Sequence, residues 1–285
     1  MKLIRYGDRG QEKMGVQIDD KRYDVSAFGG DYDERFFAEN GLERLAEFVS
    51  ANTGKLIEID PDTRLGSPIA RPSKLVCIGL NYKDHAEETG AALPEEPIIF
   101  MKSTTALNGP SDAIMLPKDS VKTDWEVEFC VVMGKEASYV EETEAMDYVA
   151  GYLLHNDVSE RAYQLERGGT WDKGKGCDTF APLGPFLVTQ DEIPDINNIK
   201  LWLKVNGKIQ QSGNTSNLIF SVAELIAYTS KFMTLLPGDV ISTGTPAGVG
   251  LGMKPAVYLA AGDVVELGAD YLGEQRQEVV AYHRK

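Results

Sequence analysis

Cysteine and histidine are scarce, at three each in 285 residues, and Cys77, Cys130 and Cys177 lie far apart. An odd number of scattered thiols builds no disulfide framework and reads as a reduced, cytoplasmic chain. Paired His or Cys clusters at zinc spacing are missing. No apolar run approaches the ~18 residues of a membrane span. The opening MKLIRYGDRGQEKMG lacks the apolar stretch of a signal peptide. Positive charge is short as well: 29 Lys and Arg stand against 44 Asp and Glu, a formal net charge of −15. Nucleic acid and anionic membranes both require a basic face, so neither is an expected partner. An anionic small molecule would need a locally cationic pocket to overcome this field.

What is present is the composition of a globular protein, 42% hydrophobic and 26% charged, in a chain long enough for one large or two modest domains. Residues 1–70 read as a small N-terminal α/β domain. Residues 2–6 and 15–25 have strand character, and DERFFAENGLERLAEFVS (33–50) sets Phe36, Phe37, Leu42, Leu45 and Phe48 near one helical stripe. Pro61, Gly66, Pro68 and Pro72 punctuate a linker near 60–72. From Lys74 onward short β-like runs dominate, among them LVCIGL (75–80), PIIFMK (97–102), EVEFCVVMG (126–134), GPFLVT (184–189), DVISTG (239–244) and DVVELG (263–268). Asn206-Gly207 between apolar flanks signals a hairpin. Helical pattern is confined to stretches near 142–148, 159–167 and 221–232. Strands without regular βα alternation predict a β-rich α+β domain over 71–285.

Two nucleotide motifs fail on inspection. GTWDKGK (169–175) matches GxxxxGK, but Gly176 follows where a magnesium-binding hydroxyl is needed. GTPAGVGLG (244–252) is glycine-rich, yet Met253 stands where GxGxxG needs its last glycine. Such a loop still suits close backbone approach to a small anion.

In WEVEFCVV (125–132), Glu126 and Glu128 share one face of a strand, about 6.6 Å apart. An isolated E-x-E pair more often simply faces water. Here Cys130 and Val132 continue the glutamate face, and two carboxylates on a part-buried surface repel unless a cation lies between them. Asp157, after YLLHN, offers a third carboxylate, and hard oxygen donors suit Mg²⁺ or Mn²⁺. In NYKDHAEETG (81–90), Asp84 and Glu87 resemble a capping box and Gly90 a helix terminator. His85 and Glu88 then share a face, the arrangement of a general base with its orienting carboxylate, or of a plain surface ion pair. The loop 91–97, AALPEEP, has the composition of a lid. Lys175 between two glycines, and Arg161, four residues after Asp157 and thus on the same side of a helix, are local cations that could equally be solvated.

Together CIGLNYKDHAEE, IIFMKSTTALNGP, WEVEFCVVMGK, DYVAGYLLHNDVSER, KGKGCDTFAPLGP, LKVNGKIQQSGNTSNLIFS and LLPGDVISTGTPAGVG resemble the fumarylacetoacetate hydrolase superfamily, in its order, over nearly all of 74–252. The resemblance implies a β-rich catalytic roll, a homodimer and one Mg²⁺ or Mn²⁺ per subunit held by Glu126, Glu128 and Asp157. It also implies a water-activating pair His85 and Glu88, a catalytic Lys175, and Tyr82, Arg161, Gln164, Gly244 and Thr245 at the substrate. Some members carry arginine where this chain has Leu80. QLERGGTWDKGKGCDTFAPLGP is most similar to the branch acting on diketo-deoxy sugar acids such as 2,4-diketo-3-deoxy-L-rhamnonate. The expected activity is hydrolysis of the C–C bond of a 2,4-diketo acid to pyruvate and a second acid. The alternatives are oxaloacetate decarboxylation, a hydroxymuconate-type isomerisation, or a silent metal-binding protein.

Overall fold

Seven consecutive buried residues at Val127–Met133 and eight at Val149–Asn156 demand strands covered on both faces. In the computed structural model, which describes residues 1–284, these two strands pair antiparallel near the centre of a ten-stranded sheet. From one edge the sheet runs Ile57–Glu58, Lys21–Asp24, Lys13–Ile18, Lys2–Tyr6, Leu187–Thr189, Val149–Asn156, Val127–Met133, Val240–Ser242, Leu75–Gly79 and Ile98–Lys102. The N-terminal strands thus extend the sheet that carries Glu128, joined through Lys2–Tyr6 against Leu187–Thr189. Arg64, in the punctuated stretch near 60–72, ties the two regions again: its guanidinium meets Glu12 at 2.9 Å and Asp112 at 2.6 Å.

A second sheet of five strands runs Lys208–Asn214, Lys200–Val205, Val264–Ala269, Gly273–Val280 and Ile114–Met115. Its first hairpin turns at Asn206-Gly207, both at positive φ (52° and 75°), as the sequence predicts. Phe129 and Leu154 from the large sheet join Leu203 and Leu267 from the small one in a common apolar core. Gln211 bridges the sheets in that core, accepting from the Val127 N–H at 2.9 Å and donating to Thr245 Oγ1 at 2.7 Å.

The fold is α+β and sheet-rich, as expected, but the helices are shorter than the pattern suggests. The stripe over 33–50 forms two helices, Glu34–Ala38 and Gly41–Ala51, because Asn40 between them adopts a left-handed backbone. Residues 142–148 yield only a 3₁₀ turn, Ala145–Tyr148. In 159–167 the helix is Arg161–Leu165, since Ser159–Glu160 pairs as a strand with Thr123–Asp124. The helix near 221–232 is Val222–Thr229, fixed at its start by the reciprocal bonds of Ser221 and Glu224. Among the described residues no helix is long and apolar enough to cross a membrane.

Candidate active site

Strand register assembles the acidic centre. Val127 pairs with Asn156, so Glu126 and Asp157 emerge side by side from adjacent strands, and the Asp157 N–H donates to the Glu126 carbonyl at 2.8 Å. Glu128 lies one alternation further on. One carboxylate oxygen from each of Glu126, Glu128 and Asp157 falls within 4.8 Å of the others, and all three residues are buried. Burying like charges this closely is expensive without cations. The Lys175 ammonium lies 2.6 Å from Glu126 and 2.7 Å from Asp157, and Lys102 lies 2.7 Å from the other Asp157 oxygen. Arg161 meets Glu126 at 2.6 Å and Asp124 at 2.8 Å.

Four buried carboxylates therefore face three buried cations, and the imbalance falls on Glu128. Burial, with Asp157 and Glu126 nearby, pushes its carboxyl well above the ordinary range. Burial acts on Asp157 too, but Lys102 and Lys175 outweigh it and hold that carboxyl well below the usual value. Ser242 donates to Glu128 at 2.5 Å, and His155 Nδ1 lies 2.7 Å from the same hydroxyl oxygen. Burial pushes the His155 pKa down to about 3, so its ring is neutral at pH 7. Three hard oxygen donors with no soft ligand fit Mg²⁺ or Mn²⁺, and the Lys175 ammonium lies against two of them as such a cation would.

The glycine-rich loop that failed as a nucleotide motif cradles anions after all, and they are the protein's own carboxylates. The Gly244 N–H donates to Glu128 at 3.1 Å, that of Gly248 to Glu88 at 3.0 Å, and those of Gly250 and Leu251 to Asp124 at 2.7 and 2.9 Å. Gly244 and Gly248 sit at φ +105° and +107°. A Cβ on Gly248 would fall 1.9 Å from the Gln210 carbonyl, so only glycine fits.

His85 and Glu88 lie on the helix Lys83–Thr89, 3.4 Å apart between Nδ1 and Oε2. The helix ends at Gly90 in a left-handed conformation, as expected. The expected capping box is corrected: the helix begins at Lys83 after Tyr82, and Asp84, inside the first turn, accepts from the His85 N–H at 2.9 Å. Burial works to raise the Glu88 pKa, but His85 and the Gly248 N–H prevail and lower it.

A cavity of about 180 Å³ connects these groups. His85, Glu126, Glu128, Arg161, Gln164, Lys175 and Thr245 line it, so seven of the eleven expected site residues meet there. Asp157 lies behind Lys175, while Gly244 and Glu88 act on Glu128 and His85 from the side. Tyr82 is fully buried ahead of the helix, its hydroxyl without a hydrogen-bond partner among the described residues. Arg161 was expected to follow Asp157 around a helix. The helix instead begins at Arg161, which reaches Glu126 from the strand side. Lys102, Asp124, Ser242 and Gln211 escape the sequence reading, because each meets the site through partners 30 to more than 100 positions away.

The family model for the C-terminal region of fumarylacetoacetate hydrolase matches residues 74–280. The chain belongs to the fumarylacetoacetate hydrolase family. A Burkholderia multivorans relative, named only provisionally as a hydrolase, is 54% identical over 97% of this chain and 98% of its own. The fumarylacetoacetate hydrolase of the psychrophile Exiguobacterium antarcticum superposes with a TM-score of 0.86 at 32% identity, over 99% of this chain and all of the other. Maleylpyruvate hydrolase from Sphingobium sp. SYK-6, solved with manganese(II) and pyruvate, superposes with a TM-score of 0.83 at 29% identity and the same coverage. Glu126, Glu128 and Asp157 form a buried cluster of three carboxylates that could hold a metal ion.

Proposed function

We propose that this family member is a divalent-metal-dependent hydrolase that cleaves the C3–C4 bond of a 2,4-diketo acid, releasing pyruvate and a second carboxylic acid. The observation that carries the reading is one cavity lined by two of the three clustered carboxylates, the imidazole of His85 and the cations Lys175 and Arg161. A divalent ion held by Glu126, Glu128 and Asp157 supplies Lewis acidity toward the 2-keto acid end. Arg161 and Gln164, which line the cavity with Thr245, would hold the substrate carboxylate, the Thr245 hydroxyl being engaged by the Val127 carbonyl and Gln211. His85, oriented by Glu88, takes a proton from water as its oxygen adds to C4. The C3–C4 electron pair then passes into the pyruvate enolate, whose charge the Lys175 ammonium balances. A proton returns to C3 and frees pyruvate.

Sugar acids of the 2,4-diketo-3-deoxy-L-rhamnonate type are the substrates that the sequence wording favours, and acylpyruvates share their reacting atoms. The test is pyruvate release from acylpyruvates, diketo-deoxy sugar acids and oxaloacetate, with EDTA and with added Mn²⁺. Metal-dependent cleavage of the diketo acids is expected, and Glu88→Ala should lower it by ~10² to 10⁴. Decarboxylation needs no activated water, so oxaloacetate turnover should survive that substitution. Turnover of oxaloacetate alone, unmoved by Glu88→Ala, would replace this reading with a decarboxylase.

A further inference from the structure

The cavity changes character with depth. Glu126, Glu128, Arg161 and Lys175, at its floor, are each no more than 5% exposed. Toward the opening the wall turns apolar, with Phe100 and Ile78 giving way to the part-exposed Leu80, Trp171 and Leu251 and the exposed Leu165. Trp171 is seated firmly: its ring meets Phe100 edge-on at 5.4 Å and lies over Gly79, where a Cβ would fall 2.5 Å from it. Leu80 holds a left-handed backbone, φ 52°, an unusual conformation for a large apolar residue. The strained position is thus filled by a greasy side chain that faces the cavity.

Arg161 and Lys175 are the only lysine or arginine side chains lining this cavity among the described residues. Both are bound to floor carboxylates, and Arg161 also donates to Gln164 at 3.0 Å. They serve the end of the substrate that meets the acidic cluster. A second carboxylate at the far end would lie against Leu80, Trp171 and Leu251 with no cation to pair it. A carboxylate held there would give up part of its water to apolar surface and gain no partner in return, which is disfavoured.

Resting on the diketo-acid reading, we propose that this enzyme selects a substrate whose tail beyond C4 is uncharged and ends in an apolar group, and that the Leu80, Trp171 and Leu251 wall rejects diacids. The tail of 2,4-diketo-3-deoxy-L-rhamnonate, one hydroxyl-bearing carbon and a terminal methyl, meets this requirement. The selection separates the chain from a hydrolase built for maleylpyruvate, which carries a carboxylate at both ends.

Two acids of equal length decide the matter. For 2,4-dioxoheptanoate against 2,4-dioxoheptanedioate, kcat/KM should favour the monoacid by at least about tenfold, as an unpaired, partly desolvated charge predicts. Leu80→Arg should narrow that ratio by supplying a partner for the distal carboxylate. A binding arm is independent of cleavage. Calorimetry with the Mn²⁺-loaded protein should give 2-oxoheptanoate at least about tenfold tighter than 2-oxoheptanedioate, neither of which has the 4-keto group that hydrolysis requires. Equal or tighter diacid binding overturns the selectivity, as does failure of both acids to bind. A monoacid preference in binding, with neither dioxo acid cleaved, upholds the selectivity and overturns the hydrolase reading instead.

Discussion

Lys175 is pulled two ways. Its ammonium neutralises Glu126 and Asp157 at 2.6 and 2.7 Å, yet those are the oxygens a divalent ion needs. The two cations compete for the same donors, so Lys175→Met should tighten Mn²⁺ binding while lowering turnover by ~10² to 10³, the worth of one charge-stabilising donor. Titration of Mn²⁺ by electron paramagnetic resonance reads the first effect. Affinity unchanged or weakened in the variant would mean that the ammonium does not contest the site. The acidic residues around this lysine are legible in the sequence because strand alternation puts Glu126 and Glu128 on one face and helical spacing puts His85 beside Glu88. Lys102 and Ser242 carry no such local signal. Lys102 closes a strand 55 positions before Asp157, and Ser242 reaches Glu128 across 114 positions, so only strand pairing reveals them.

The glycine-rich loop acts as a clasp on three site carboxylates. Its chemistry is legible as an affinity for anions, but which anions depends on tertiary pairing, and the helix shortening at Arg161 is equally hidden because a strand pair takes Ser159 and Glu160 first. Gly248→Ala would thrust a methyl into the Gln210 carbonyl and withdraw the N–H from Glu88. Hydrolysis should fall by about tenfold or more through a misplaced His85, with Mn²⁺ affinity largely kept. Loss of metal binding to the same degree would mean that the whole loop had moved.

Arg64 is the second clasp, joining the N-terminal strands to the stretch around Asp112. Burial works to raise the Asp112 pKa, but the Arg64 guanidinium outweighs it and holds the carboxyl below the ordinary carboxylate value. A carboxyl lowered by folding stabilises the protein at pH values above its unfolded pKa, and that contribution is lost as pH falls through the folded value. Asp112→Asn should lower Tm by a few degrees at pH 7, and the gap from the wild type should narrow progressively as pH falls below about 4. A gap that does not narrow at all as pH falls below about 4 would assign the loss to hydrogen bonding rather than to charge.

At the scale of the whole molecule, a net charge of −15 surrounds a cavity meant for an anion. The three buried cations are matched by four buried carboxylates, so before a divalent ion binds the floor adds no attraction at long range. Even with that ion in place, its field must compete with many surface carboxylates. The Debye length is about 30 Å at 0.01 M salt and about 8 Å at 0.15 M, so added salt screens the distant surface charges more than contacts within the cavity. Association of a keto acid should therefore speed up as salt rises from 0.01 to 0.15 M, opposite to the slowing of an enzyme that steers its substrate by surface charge. The measurement is kcat/KM for a cleaved diketo acid across that range at saturating Mn²⁺, with kcat as the control. A rise in kcat/KM at constant kcat is the expected result. A fall would mean that the loaded cavity's positive field already reaches past the acidic surface and draws the substrate in.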